Sequence, residues 1–131
     1  NLHMNIQQIL HDTKTIAIVG LSANPSRASF QVAQYLMPHY EIIPINPAYE
    51  EVLGLRCYPD LQSVPVKVDM VDVFQRSENV MPFVQPSIDI GAKYFWMQLD
   101  IRNDDARQQL EAVGVIVVDD LCTKIEHARY C

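Results

Sequence analysis

The sequence predicts a single doubly wound α/β domain, a five-stranded, mainly parallel sheet with helices on both faces, and three observations carry that expectation. Five short apolar, β-branched runs punctuate the chain, segments with helical spacing of apolar residues lie between them, and 131 residues suit one core rather than two. Strands that alternate with helices need crossover connections, which lay the strands parallel and pack the helices back on the sheet.

The elements follow in order. A short helix is expected over Ile6 to His11, then a strand from Thr15 to Val19. Phe30, Ala33, Leu36 and Met37 mark one face of the next helix, and Glu41 to Ile45 the second strand. The stretch from Ala48 to Pro65 has no clean period and reads as a loop with one helical turn near Asp60 to Ser63. The third strand spans Asp69 to Phe74, followed by a helix carrying Val80, Val84 and Ile88. Tyr94 to Met97 form the fourth strand, Ala106, Leu110 and Val113 the face of another helix, Val115 to Val118 the fifth strand, and a last helix runs from about Thr123 towards Arg129.

Apolar residues make up 49% and charged residues 20% of the chain, an ordinary globular balance. A formal charge of -6 repels nucleic acid and anionic lipid, which excludes a long nucleic-acid groove and requires any phosphate ligand to be met by local donors. Three cysteines, an odd number, do not make a disulfide framework and point to a reducing, cytoplasmic setting. No run approaches the roughly 20 apolar residues of a membrane span, so no membrane partner is expected. Residues 1–131 read as one domain, and the opening Asn1-Leu2-His3-Met4 reads as a tag or cloning remnant.

In open α/β sheets ligands bind beyond the carboxyl ends of the strands, where the strand order reverses. After the first strand comes Gly20-Leu21-Ser22-Ala23-Asn24-Pro25-Ser26-Arg27-Ala28-Ser29, a turn of small and hydroxyl residues that opens a helix. Backbone N–H groups and the positive end of the helix dipole favour a phosphate there, with Ser22, Asn24, Ser26 and Ser29 adding hydrogen bonds and Arg27 a bidentate charge. The plainer reading is that Ser26 caps the helix while Gly20 and Pro25 shape the turn. A dinucleotide fingerprint would need glycines where Ser22 and Pro25 stand, and an acid after the second strand where Asn46 and Pro47 stand. Asn46 suits a ribose or adenine edge, although two prolines equally well stop a strand. Phe74 and Arg76 end the third strand at the same rim, so two arginines can share a pyrophosphate, with Phe74 either on an adenine or closing the core. Gln98 and Trp96, beyond the fourth strand, either meet a ligand or fill the sheet. Cys122, Glu126 and His127 lack the spacing of a zinc site, and no metal is expected. Cys122 near a helix N-terminus could act as a nucleophile or serve as a structural thiol.

Ile18-Val19-Gly20-Leu21-Ser22, Asn24-Pro25-Ser26-Arg27, Ile43-Pro44-Ile45-Asn46-Pro47, Leu53-Gly54, Asp69 to Phe74, Gly91-Ala92-Lys93, Trp96-Met97-Gln98 and Asp120 with Cys122 and Glu126-His127 together carry a resemblance. The sequence resembles the small bacterial CoA-binding proteins of the YccU type, related to the CoA-binding domain of succinyl-CoA synthetase. The resemblance covers Thr15 to His127 and implies a Rossmann-like fold that binds coenzyme A or an acyl-CoA, with no catalytic residue to carry over. The chain departs from the pattern at Gln75, usually Arg, at Asp100, usually Gly, and at Leu121, usually Arg, which makes the rim less positive. The expected protein is a non-catalytic nucleotide-binding module, either alone, as a homodimer, or with another protein. The alternatives are an NAD(P)-binding oxidoreductase and a thiol enzyme using Cys122.

Overall fold

The computed structural model describes residues 4–131. The remnant assigned to the first residues falls on positions 1–3, outside the described residues, while Met4 packs against the core. The elements are α1 (Ile6–Asp12), β1 (Thr15–Val19), α2 (Ala28–Leu36), β2 (Glu41–Ile45), β3 (Glu51–Val52), β4 (Leu55–Arg56), β5 (Met70–Val73), α3 (Val84–Asp89), β6 (Tyr94–Met97), α4 (Asp104–Ala112), β7 (Ile116–Val118) and α5 (Thr123–Tyr130). Short 3-10 turns cover Leu61–Ser63, Ser77–Asn79 and Met81–Phe83. Among the described residues no helix is long and apolar enough to cross a membrane.

Five strands form one sheet in the order β2-β1-β5-β6-β7, every pair parallel. The alternation of the pleat divides each strand between two cores. Ile16, Ile18, Met70, Tyr94 and Trp96 face α1, α2 and α5, whereas Ala17, Val19, Val71, Val73, Phe95 and Met97 face α3 and α4. All of β1 is buried, because it lies between two strands and under helices on both sides. Pro44 stands in β2, where a residue without an N–H is tolerated because β2 is an edge. Tyr58 covers that edge, its N–H donating to the Pro44 carbonyl at 2.9 Å and its carbonyl accepting from the Asn46 N–H at 2.9 Å.

The expected loop from Ala48 to Pro65 contains a hairpin, β3 and β4, joined by Leu53 and Gly54 with φ of +56° and +75°. A two-residue hairpin turn of this kind needs positive φ at both positions, and Leu53 in place of the usual Asn or Asp hides it from sequence reading. The anticipated turn near Asp60 is present, with Asp60 accepting from the Ser63 N–H at 2.8 Å.

One charged residue sits in the middle of the sheet. Asp72 of β5 is completely buried, its carboxylate accepting from Gln98 Nε2 at 2.5 Å and from Thr123 Oγ1 at 3.0 Å, while Gln98 Nε2 also donates to Thr123 at 2.8 Å. The three side chains close a ring that ties β5 and the end of β6 to the first turn of α5. Burial pushes the Asp72 carboxyl up to about 7, against the two donated hydrogen bonds. The folded chain thus keeps that proton up to about pH 7, whereas an unfolded aspartate releases it near 3.8, so the folded state binds more protons between those values. The contribution is full below the lower value and declines as pH rises towards the upper one. In denaturant titrations across this range Asp72→Asn should remove that part of the pH slope, and a variant with the wild-type slope would contradict the assignment.

Candidate functional site

β1 passes through α2 to β2 on one side, whereas β5 continues to β6 on the other. This reversal separates the loops that follow β1 and β5 and opens a crevice beyond their carboxyl ends. A cleft of about 500 Å³ lies there, lined by Gly20 and Arg27 to Ser29 on the β1 side, by Phe74, Gln75, Arg76 and Asn79 on the β5 side, and by Ile101.

Gly20 sets the spacing of the two walls. Its N–H donates to the Ile45 carbonyl of β2 at 2.9 Å, while one residue earlier the Val19 carbonyl still accepts from Phe74 beside β5 at 2.9 Å. The backbone turns there with φ of +81°, and a Cβ on Gly20 would overlap the Phe74 carbonyl oxygen and stand 3.0 Å from Gln75 Nε2. Only glycine meets both demands.

The loop after Gly20 differs from the expected open cradle. The Ser22 N–H donates to Ser29 Oγ, the Asn24 N–H to Ser22 Oγ and the Ser26 N–H to Asn24 Oδ1, each at 3.0 Å, and the Arg27 N–H donates to the Asn24 carbonyl at 3.0 Å. The side chains of Ser22 and Asn24 therefore brace their own loop, because short polar side chains satisfy nearby amides at small separation. Ser26 is not the cap of α2. Arg27 holds that position in extended backbone and caps with no side-chain hydrogen bond. Ala28 and Ser29 of the first turn of α2 form part of the cleft wall, and a helix N-terminus carries positive potential.

Arg27 and Arg76 stand on opposite walls, both exposed, and among the described residues neither forms an ion pair within 4.0 Å. Phe74 is half-buried, lining the cleft and packing on the core beneath it.

Of the residues expected at the site, Gly20, Arg27, Ser29, Phe74 and Arg76 line this cleft. Asn46 is a brace instead, donating from Nδ2 to the Leu21 carbonyl at 3.1 Å and accepting the Ala48 N–H at 2.9 Å. Pro47 lines a separate groove beside the β3–β4 hairpin. Gln98 is 3% exposed and belongs to the Asp72 ring, a correction that follows from the partner waiting for its amide inside the sheet. Trp96 is core, with Nε1 donating to the Leu121 carbonyl at 2.7 Å. Asn79 and Ile101 were missed. Asn79 follows a strand end and was within reach of the strand-end rule, whereas Ile101 arrives from the β6–α4 connection by tertiary packing alone.

The carboxy-terminal cluster does not assemble into a site. Cys122 is the cap residue of α5, and His127 faces α2, its Nδ1 at 2.9 Å from Tyr35 Oη and its ring centroid 4.4 Å from that of His39. Burial, reinforced by His39 and His11, holds His127 below its ordinary pKa. Among the described residues no group of histidines, cysteines and acids could hold a metal ion. Asp100 takes a φ of +67°, which accounts for a pattern that favours glycine there, and its N–H donates to Asp120 Oδ1 at 2.8 Å.

The profile of the family described as CoA binding domain matches residues 14–128. The uncharacterized protein YneT of Bacillus subtilis strain 168 is 39% identical over 124 residues, covering 94% of this chain and 92% of its own. The crystal structure of Prb, the PH1109 protein redesigned for binding, superposes with a TM-score of 0.93 at 40% identity, over 95% of this chain and 89% of that one. A segment of the ADP-forming acetate–CoA ligase II of Archaeoglobus fulgidus is 32% identical over 60 residues, 44% of this chain and 9% of the ligase.

Replacing Gly20 by Ala should lower the unfolding free energy by at least about 1–2 kcal/mol, the cost of left-handed backbone for an L residue, before any clash with Phe74 is added. Denaturant unfolding of Gly20→Ala with a wild-type midpoint would refute this account of how the two walls meet.

Proposed function

The chain belongs to the CoA binding domain family, and from that premise we propose that the β1/β5 cleft holds coenzyme A or an acyl-CoA by its diphosphate. The observation that carries the reading is the pairing of two guanidinium groups, Arg27 and Arg76, across a crevice closed at its back by the first turn of α2. Guanidinium groups form charge-assisted, often bidentate bonds to phosphate oxygens, and helix-terminal amides add donors with no side chain to displace. In a chain of net charge -6 such local donors are required, because the overall field opposes a polyanion. Asn79 can add a side-chain amide, and the Phe74 ring offers an apolar surface to a base or to the pantetheine arm. Asn46 contributes by holding the Leu21 carbonyl, which fixes the start of the loop.

Binding without chemistry of its own is the reading the lining supports. Among the described residues no Cys, His, Asp or Glu lines this cleft, and the hydroxyl of Ser29 there accepts the Ser22 N–H. A nucleophile or general base would need such a group within hydrogen-bond reach of the ligand. Cys122 is not among the lining residues, which weighs against the thiol enzyme. The side chain after β2 is an amide committed to the backbone rather than a free carboxylate for ribose hydroxyls, which weighs against a nicotinamide cofactor.

Calorimetric titration with CoA tests the proposal. Arg27→Ala and Arg76→Ala, both at exposed positions, should each weaken binding by roughly tenfold to a hundredfold, the worth of one charge-assisted contact. Raising the salt concentration should weaken wild-type binding in the same direction. A wild-type protein that gives no CoA-dependent heat, or arginine variants with undiminished affinity, would overturn it.

A further inference from the structure

We infer that the protein reads the diphosphate of its ligand and not the additional phosphate on the ribose, so that 3′-dephospho-CoA binds as tightly as CoA; the inference rests on the CoA reading given above. In a doubly wound sheet, a nucleotide whose diphosphate sits at the helix after the first strand extends its ribose towards the end of the second. The residues there decide whether a further phosphate is accommodated: an acid selects free hydroxyls, and a nearby cation selects a phosphate.

Here the end of β2 supplies no cation, and its one side-chain amide is already engaged within the fold. Both polar atoms of the Asn46 side chain are engaged, Nδ2 with the Leu21 carbonyl and Oδ1 with the Ala48 N–H, and Pro47 has no N–H to offer. Beyond them lies the groove of about 950 Å³ beside the β3–β4 hairpin, whose charged lining is Glu50, Glu51 and Arg56. Arg56 stands directly opposite Glu51 in the hairpin register, and its guanidinium carbon lies 5.1 Å from the centre of the Tyr58 ring. The single cation of the groove thus faces a carboxylate and an aromatic ring, with a second carboxylate in excess. A phosphate monoester, carrying close to two negative charges at neutral pH, meets a wall of its own sign there. Two more guanidinium groups near the strand ends, those of Arg102 and Arg107, are paired with Asp119 at 4.0 Å and 3.1 Å. Among the described residues the two guanidinium groups that line the cleft proposed for the diphosphate, Arg27 and Arg76, form no ion pair within 4.0 Å.

Calorimetry of the full chain with CoA and with 3′-dephospho-CoA at one ionic strength decides the matter. The expected result is that the two affinities agree within about fivefold, or that 3′-dephospho-CoA binds more tightly, since no charge-assisted contact worth tenfold or more is made to the extra phosphate. The exposed-site variant Glu51→Lys, which converts the groove to net positive charge, should then tighten CoA several-fold more than 3′-dephospho-CoA. If wild-type protein binds CoA more than about fivefold tighter than 3′-dephospho-CoA, the inference fails while the CoA reading stands. A Glu51→Lys variant that leaves the ratio unchanged also overturns it, by removing the groove as the cause. If neither ligand binds, it is the CoA reading itself that fails.

Discussion

The site depends on a single close approach, the passage of the Gly20 backbone against the Phe74 carbonyl. Up to Val19, β1 bonds to both of its neighbours, and at Gly20 it bonds only towards β2 while β5 diverges. The fork is possible because glycine accepts a φ of +81° and brings no Cβ into the path of Phe74. Everything that gives the cleft its character follows from that fork. Arg27 and the first turn of α2 are carried to one wall, Phe74 and Arg76 to the other, and their separation is set by backbone hydrogen bonds instead of by flexible side chains.

Beneath the cleft, the sheet holds a carboxylate where an apolar side chain would cost less. Leaving Asp72 without its donors would cost several kcal/mol, and the ring with Gln98 and Thr123 offsets that cost by giving each carboxyl oxygen of Asp72 a hydrogen bond. Such a ring is geometrically demanding, so it also specifies how α5 seats on the sheet, which apolar packing alone would leave looser. The same ring takes Gln98 away from the ligand side. A residue that lies at a strand end in the sequence is drawn inward by a partner on the neighbouring strand.

The electrostatics of the strand-end surface are those of an acidic protein with a small positive inset. Arg107, near that surface, is neutralised locally by Glu111 and Asp119. The two cations that line the cleft, Arg27 and Arg76, therefore stand against an overall field of opposite sign. Likeness to a short segment of a much longer acetate–CoA ligase is consistent with a module whose task is to hold a ligand, the architecture being shared with relatives such as YneT that span nearly the same length.

What the sequence determined by itself was the alternation of buried strands and amphipathic helices, hence the sheet, together with the glycine and the two arginines that line the cleft. These were legible because periodicity, strand-end position and the residue type at a tight turn are local quantities, read within a few positions of one another. The assignment of donors was not local. Whether Ser22, Asn24, Asn46 or Gln98 points a hydrogen-bonding group at a ligand depends on which acceptor reaches it first: Ser29 Oγ and the Leu21 carbonyl near the loop, Asp72 and Thr123 in the core. The β3–β4 hairpin stayed hidden for a related reason, since Leu53 adopts positive φ only because the paired strands impose it. Tertiary structure alone decided these matters, because a polar side chain with a partner in reach satisfies itself within the fold, and only long-range packing determines which partners are in reach.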